Sequence, residues 1–491
     1  MTKTVTKNLF GIFPALLAAC LFVLASGSPA RADFPQSPRG PEGPVSVKDT
    51  IELTLKNNPN IKAFQEYRQA AEFDKKRARS GWLPTLDASA GIGFEQWNSP
   101  TTRGGGPGAQ KDDIFYKRYD HSVVLSQTIW DGFATWNRYR MADAMLTSAE
   151  HRLFDNAEAL ALDAILAHME ICRQIKMVQL SELNVDNHKR ILGSQYDRLN
   201  AGASTRADVT QTQARLARAE TSLIEARLAL DVARLNYRNL TGFEPGALVP
   251  PQAPEKMFNS LENALANSMT NNSKVLSKRA DIETSSAQKD LDKSAFHPRI
   301  YLEVSNRYNW QVQDATYYTW GTAVMLRAQW NLYNGHYDWY NMKADKARVR
   351  QASLELQALR DNLAEETAST WAQWLANIEQ VKFYTAAVGY NTQTRDMYLQ
   401  QFNVGSRSLL DVLDSENELY STSMQLVTAQ MNDVAAQYRL ITLSGKLLGY
   451  FEVDRQRLTP ETDEDDFNEE QYFDADLAGW NINNKMVPPV E

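Results

Sequence analysis

Through most of this chain apolar residues recur every three or four positions, the spacing of one helix face; in four short stretches the period falls to two, the spacing of a strand. Val47, Ile51 and Leu55 open a helix behind the capping pair Ser46 and Asp49, and the helix resumes after Asn57-Asn58-Pro59 to end near Gly81-Trp82-Leu83-Pro84. Leu86, Ala88, Ala90, Ile92 and Phe94 then alternate with Asp87, Ser89, Gly91, Gly93 and Glu95, which predicts a strand with one apolar and one polar face. Phe115, Tyr119, Val123, Leu125 and Ile129 mark its return, with the glycine-rich stretch Asn98 to Asp113 as an exposed loop between them. From Asp131-Gly132 a helical pattern continues to Leu199, a rod on the order of 100 Å long at 1.5 Å per residue. After a turn, Arg206 to Leu240 carries a heptad, with Val209, Leu216, Leu223, Leu230 and Tyr237 on one position and Thr212, Ala219, Ala226, Ala233 and Leu240 on the other.

Everything then returns. Leu261 to Ser294 reads as one helix, and Ile300, Leu302, Val304, Tyr308 and Trp310 as a two-faced strand. Tyr318, Trp320, Val324, Leu326 and Trp330 mark a fourth strand, which leads to a second long helix reaching Asn403. The turn at its end, Gln401 to Asp414, reads QFNVGSRSLLDVLD: Gly405 can take the left-handed conformation that closes a helix, and Ser408 with Asp411 is spaced to cap the next one. Gly405 stands 203 positions after Gly202, Asp411 203 after Asp208, and Gly335 203 after Gly132. The chain is thus expected to hold two tandem repeats, residues 46–244 and 258–451, joined by a proline-rich connector at 245–257. The strand hairpins fall at 85–130 and 299–333 and the helical tips at 200–208 and 402–414. Long helices of equal length beside hairpins of unequal length describe a rod whose far end must reach a fixed place.

Composition narrows the setting. Lys3 and Lys7 precede an apolar run and Ala30-Arg31-Ala32, so residues 1–32 read as a secretory signal, with residues 33–45 an irregular lead-in. Cys20 sits in a lipoprotein-like box, but the apolar run continues past it to Leu24, which favours cleavage after Ala32. The net charge of −8 becomes about −11 once Lys3, Lys7 and Arg31 leave with the signal, which argues against nucleic acid as a partner. Cys172 is then the one remaining cysteine, so no intrachain disulfide or thiolate cluster can form. Residues 452–491 are rich in Asp and Glu and read as a solvated, disordered tail. The six histidines show no metal-ligand spacing. No cofactor is implied, and no nucleophile and base pair or phosphate loop points to an enzyme. Met145, Met169 and Met177 read as packing residues, and Trp371 with Trp374 as a helix-to-helix contact.

With the tip VGSRSLLDVLD and the 203-residue repeat together, the layout resembles the TolC-like outer-membrane factors, the exit ducts of bacterial type I secretion systems and efflux pumps. The resemblance implies a mainly α fold with a β-barrel part. In it, a homotrimer closes four strands per chain into a 12-stranded barrel in outer-membrane lipid, continued by a periplasmic α-helical tube. It also implies a periplasmic adaptor and an inner-membrane ABC transporter as partners, or alternatively a proton-driven pump and drug efflux. On that layout Glu95, Arg118, Asp120, Glu303 and Arg307 face a watery lumen, and the glycine loop and the turn Gln313 to Thr316 face the cell surface. Carried over by matched position, Arg407 is the latch cation of the gate, reaching to Asp208 on a neighbouring chain. Asp411 and Asp414 form acidic rings whose crowding favours cations and raises their own pKa values. Phe402 departs from the tyrosine frequent at its position and cannot donate that hydrogen bond. Asp208 and Asp411 also suit helix capping, whereas Asp414 lies beyond the box with no structural duty visible in the sequence.

Overall fold

The computed structural model describes residues 43–97, 114–254, 258–310 and 318–459. The signal segment with Cys20, most of the lead-in, the glycine loop, the Gln313 to Thr316 turn and the tail from Pro460 lie outside the described residues, whereas the first part of the stretch read as a disordered tail, 452–459, packs back with Leu458 buried and Arg455 on Glu158. A short strand β1 (Pro44–Val45) precedes helices α1 (Val47–Asn57) and α2 (Pro59–Arg79), then strands β2 (Thr85–Trp97) and β3 (Ile114–Trp130). The long helix α3 (Ala134–Asn200) and its return α4 (Arg206–Thr241) lead to β4 (Ala247–Leu248). Then come α5 (Leu261–Asn271), α6 (Ser273–Lys293), β5 (Arg299–Trp310), β6 (Tyr318–Gln329), α7 (Tyr337–Asn403), α8 (Leu409–Leu443) and a short α9 (Leu447–Tyr450).

Helices α3 and α7 each run 67 residues, with no proline and a single glycine, Gly193 or Gly389, in either. Both begin after a pair of left-handed residues, Gly132-Phe133 and Gly335-His336, so the same sharp turn sends the chain from strand to rod twice. At Gly132 a Cβ would also stand 2.7 Å from the Cβ of His297, so the turn packs too closely for any other residue.

One expectation is corrected. The segment from Leu261 to Ser294 is not one helix; it breaks at Asn272, whose side chain accepts from the Lys274 amide (2.9 Å) and donates to the Leu443 carbonyl (2.9 Å). Asn58 does the same between α1 and α2, accepting from Asn60 (2.9 Å) and donating to Leu240 (3.2 Å). Without the proline that follows Asn58 the second break is hard to read, because a capping asparagine inside a helical period leaves little mark.

Strands β1 and β4 form a short parallel pair, and the main sheet is antiparallel throughout, in the order β2-β3-β5-β6. Its register places Leu86, Leu125, Val304 and Val324 in one row, and Ile92, Tyr119, Trp310 and Tyr318 in another, all on the same face. That face is uncovered, with Ile92 and Phe94 each 79% exposed. Tyr308 on it stacks on His121 and on Tyr318, at ring distances of 6.2 and 5.8 Å. The opposite face is polar: Arg118 pairs with Glu95 (3.1 Å) and Asp120 (3.0 Å), and Arg327 with Glu303 (2.9 Å). Strands β2 and β6 are the outer strands of the sheet within the chain.

The main core lies where α1, the middle of α3, the end of α8 and the C-terminal turns meet, around Ile51, Leu153, Ile165, Ile441 and Leu447. Trp374 belongs to it, with Trp371 edge-to-face at 4.9 Å. Met169 and Met177 are buried as expected of packing residues, whereas Met145 is exposed within the chain, because α3 turns that side of its first half outward. A buried acid fastens this core. Glu158 of α3, its side chain 3% exposed, accepts from the backbone N–H groups of Leu447 (2.9 Å) and Leu448 (3.3 Å) and from Arg455 (3.3 Å). No helix among the described residues is long and apolar enough to cross a membrane.

Candidate functional site at the helical tips

The two tips close by the same hydrogen bonds. In the first, Gly202 takes φ 72° while the N–H of Ala203 returns to the Arg198 carbonyl (2.8 Å); in the second, Gly405 takes φ 77° while Ser406 returns to Gln401 (2.9 Å). A side-chain cap starts each following helix. Thr205 Oγ1 accepts from the Asp208 amide (3.2 Å) and donates to its carboxylate (2.8 Å), and Ser408 Oγ makes the same two bonds with Asp411, at 3.2 and 2.8 Å. In the first tip the Thr205 amide also donates to Asp208 (3.0 Å), completing a capping box. Ile191, Phe402, Leu409, Val412 and Leu413 form a small core beneath the second tip.

Capping is thus a role that Asp208 and Asp411 do hold. The Thr205 hydroxyl and amide keep Asp208 below the ordinary carboxylate pKa, and the Ser408 hydroxyl, then the Arg407 charge, do the same for Asp411. Within one chain this reverses the direction expected for Asp411: the acid is stabilised as an anion by a donor and a cation before any second copy approaches. Arg407 does not extend away from the tip. Its guanidinium lies over the Tyr398 ring at 4.0 Å, with Nε 3.3 Å from Asp411. Asp414 has a partner that the sequence did not reveal: its Oδ1 accepts from Arg215 of α4 at 3.1 Å.

Two further residues near the tips, Arg198 and Glu416, went unread. Arg198, in the last turn of α3, donates to the carbonyls of Phe402 (2.6 Å) and Asn403 (3.1 Å) and lies over the Phe402 ring at 4.1 Å. It adds a second donor to the Phe402 carbonyl, which already accepts from the Gly405 amide, and supplies one to the Asn403 carbonyl, and so ties the first tip to the second. Phe402, without a hydroxyl, takes a cation on its face instead. Two turns above, Glu416 is buried and accepts from Asn187 of α3 (3.0 Å) and Arg395 of α7 (3.0 Å). The one available signal was the repeat: Arg198 stands where the second copy has Gln401, and Arg215 where it has Glu418, both changes of charge within a matched pair. Asn187, Arg395, Phe402 and Glu416 line a cleft of about 440 Å³ between α3, α7 and α8.

A family described as outer membrane efflux protein matches residues 50–243 and 264–446 of this chain. The chain belongs to that family. Like its other members it is an outer-membrane protein. Among its relatives, the outer membrane efflux protein BepC of Brucella suis is 23% identical over 326 residues, 66% of this chain and 72% of that one. The proteases secretion protein PrtF of Dickeya chrysanthemi is 23% identical over 422 residues, 82% of this chain and 88% of that one. In fold, the Campylobacter jejuni CmeC outer membrane channel superimposes with a TM-score of 0.71 at 14% identity, covering 85% of this chain and 90% of that one.

Proposed function

We propose that this protein is the outer-membrane exit duct of a tripartite export machine, a homotrimer whose chains close one 12-stranded barrel and continue it as a helical tube into the periplasm. The observation that carries this reading is the sheet: an uncovered apolar face with aromatic residues, a polar face of charge pairs, and two outer strands, β2 and β6, each with one edge unpaired among the described residues. Hydrocarbon has no donors or acceptors for an open edge, so β6 of each copy pairs with β2 of the next and the edges vanish. The long helices suit the same assembly. Besides its buried heptad, α4 shows a second apolar stripe of Ile224, Leu228 and Leu235, and α7 leaves Phe383 and Tyr390 exposed, surfaces for neighbouring helices of further copies. The matched lengths and 203-residue offset of the two halves accord with tandem repeats that double six helices and strands into one wall.

At the far end of the tube the tips act as the gate, with Arg407 and Asp208 as a latch between neighbouring chains, and Asp411 and Asp414 as acids at the neck. Opening is the work of a periplasmic adaptor and an inner-membrane transporter. For that transporter we favour an ABC exporter of proteins, since a proteases secretion protein, PrtF, is among the relatives; drug efflux with a proton-driven pump, in line with the likeness to BepC, is the alternative. Deleting the gene separates the two: loss of secreted proteins with unchanged drug susceptibility is expected, and the converse overturns the choice of transporter. The duct itself is tested by fractionation. The protein is expected in outer-membrane fractions as a heat-modifiable trimer, and recovery as a soluble protein would refute the reading.

A further inference from the structure

Of the acids that α8 presents near the neck, Asp411 and Asp414 are open to solvent and Glu416 is not, and each open acid is already balanced. Around the level of Asp414, α8 presents Asp414 and Glu416, and each takes an arginine from a different helix. Glu416 is buried and held by Arg395 and Asn187, out of reach of anything passing the tip. Asp414 is 58% exposed, and the guanidinium beside it comes from Arg215 of α4, across the boundary between the two helical hairpins. An ion pair this exposed contributes on the order of 0–1 kcal/mol, too little to explain it as a fastening. What it does alter is the local field: one positive charge 3.1 Å from one negative charge leaves almost no monopole for a passing ion to sense.

We propose that Arg215 is the residue that sets the ion preference of the neck, by cancelling Asp414 within each chain. The proposal rests on the gate reading given above. With Asp411 also facing Arg407, each acid has an in-chain counter-charge, and the neck is a ring of dipoles rather than a ring of anions. Three-fold repetition multiplies every change at Arg215, since each substitution alters three charges at one level. The repeat supports an acquired role: the position matching Arg215 in the second half is Glu418 and that matching Asp414 in the first is Gln211, so neither is a symmetric leftover of the fold.

The test is the reversal potential of the purified, full-length protein in planar bilayers under a potassium chloride gradient, with trimer migration as the check on folding. Arg215→Gln should raise the cation-to-anion permeability ratio several-fold, and Asp414→Asn should lower it by a similar factor. Arg215→Gln combined with Asp414→Asn should return to the wild-type value, as should exchanging the two residues, Arg215→Asp with Asp414→Arg. A merely structural pair would not give opposite shifts that cancel. If Asp411→Asn or Asp414→Asn moves selectivity while Arg215→Gln leaves it unchanged, Arg215 is not the counter-charge and the proposal fails with the gate reading intact. If none of these substitutions moves it, the acids do not line the neck and the gate reading itself falls.

Discussion

Glu158→Ala should destabilise the chain by roughly 3 kcal/mol, the largest effect expected of any single substitution outside the sheet. The change removes the acceptor of two buried amides, Leu447 and Leu448, and the anion facing Arg455, all in the segment that folds back after α8. Neither amide can reach water without that segment lifting from α3. Hydrogen–deuterium exchange should therefore show loss of protection over residues 443–458, with smaller change at the tips. Glu158→Gln keeps an acceptor oxygen and should preserve most of it.

The same residue gives a pH dependence with a definite sign. Burial, opposed by the Leu448 amide and Arg455, pushes the Glu158 carboxyl up from 4.5 to about 7. A carboxyl whose folded pKa lies above its unfolded one binds its proton more tightly when folded, so its contribution is full below about 4.5 and is lost as pH rises through about 7. Melting temperature should fall between pH 5 and pH 8 in the wild type by more than in Glu158→Gln. An equal slope in both proteins would show that Glu158 does not titrate in this range.

The second large effect is expected at Arg198. Its guanidinium donates to two last-turn carbonyls of α7 and covers the Phe402 ring, so any opening that parts the first tip from the second must break all three contacts. Charge-assisted bonds at a partly exposed site together with a cation–π contact come to roughly 2 kcal/mol, or about 30-fold in the balance between closed and open tips. Arg198→Ala should accordingly raise the open probability of single channels by about that factor. Arg198→Lys, which keeps the charge but loses the planar fork, should fall between. Phe402→Ala should reproduce part of the effect by removing the ring. Unchanged gating in Arg198→Ala would mean that the contact with α7 persists in the open state.

Much of this molecule was legible along the chain because its order is one-dimensional. Alternation from Leu86 to Phe94 identifies a two-faced strand without reference to anything distant, and Gly202 and Gly405 mark helix ends by backbone conformation alone. The capping of Asp208 and Asp411 follows from three-residue spacing for the same reason. What stayed hidden depends on how helices are rotated against each other. Arg215 meets Asp414, and Arg198 meets Phe402, across about 200 residues of sequence, and neither pair is fixed by a local period. Asp414, read as having no structural duty, therefore turned out to hold a cross-hairpin ion pair. Glu158 did leave a sign, an acid set in the apolar run Ala157 to Leu162, yet its partners lie nearly 300 positions on in a segment with no repeat to predict it.

The central claim is that three copies join edge to edge into one duct that narrows at the tips. Electron cryomicroscopy of the complex extracted from outer membranes tests it most directly. The expected image has three chains, β6 of each paired with β2 of the next in a 12-stranded barrel, and a continuous lumen constricted at Asp411 and Asp414. A different number of chains, unpaired β2 and β6 edges, or a constriction placed elsewhere would contradict it.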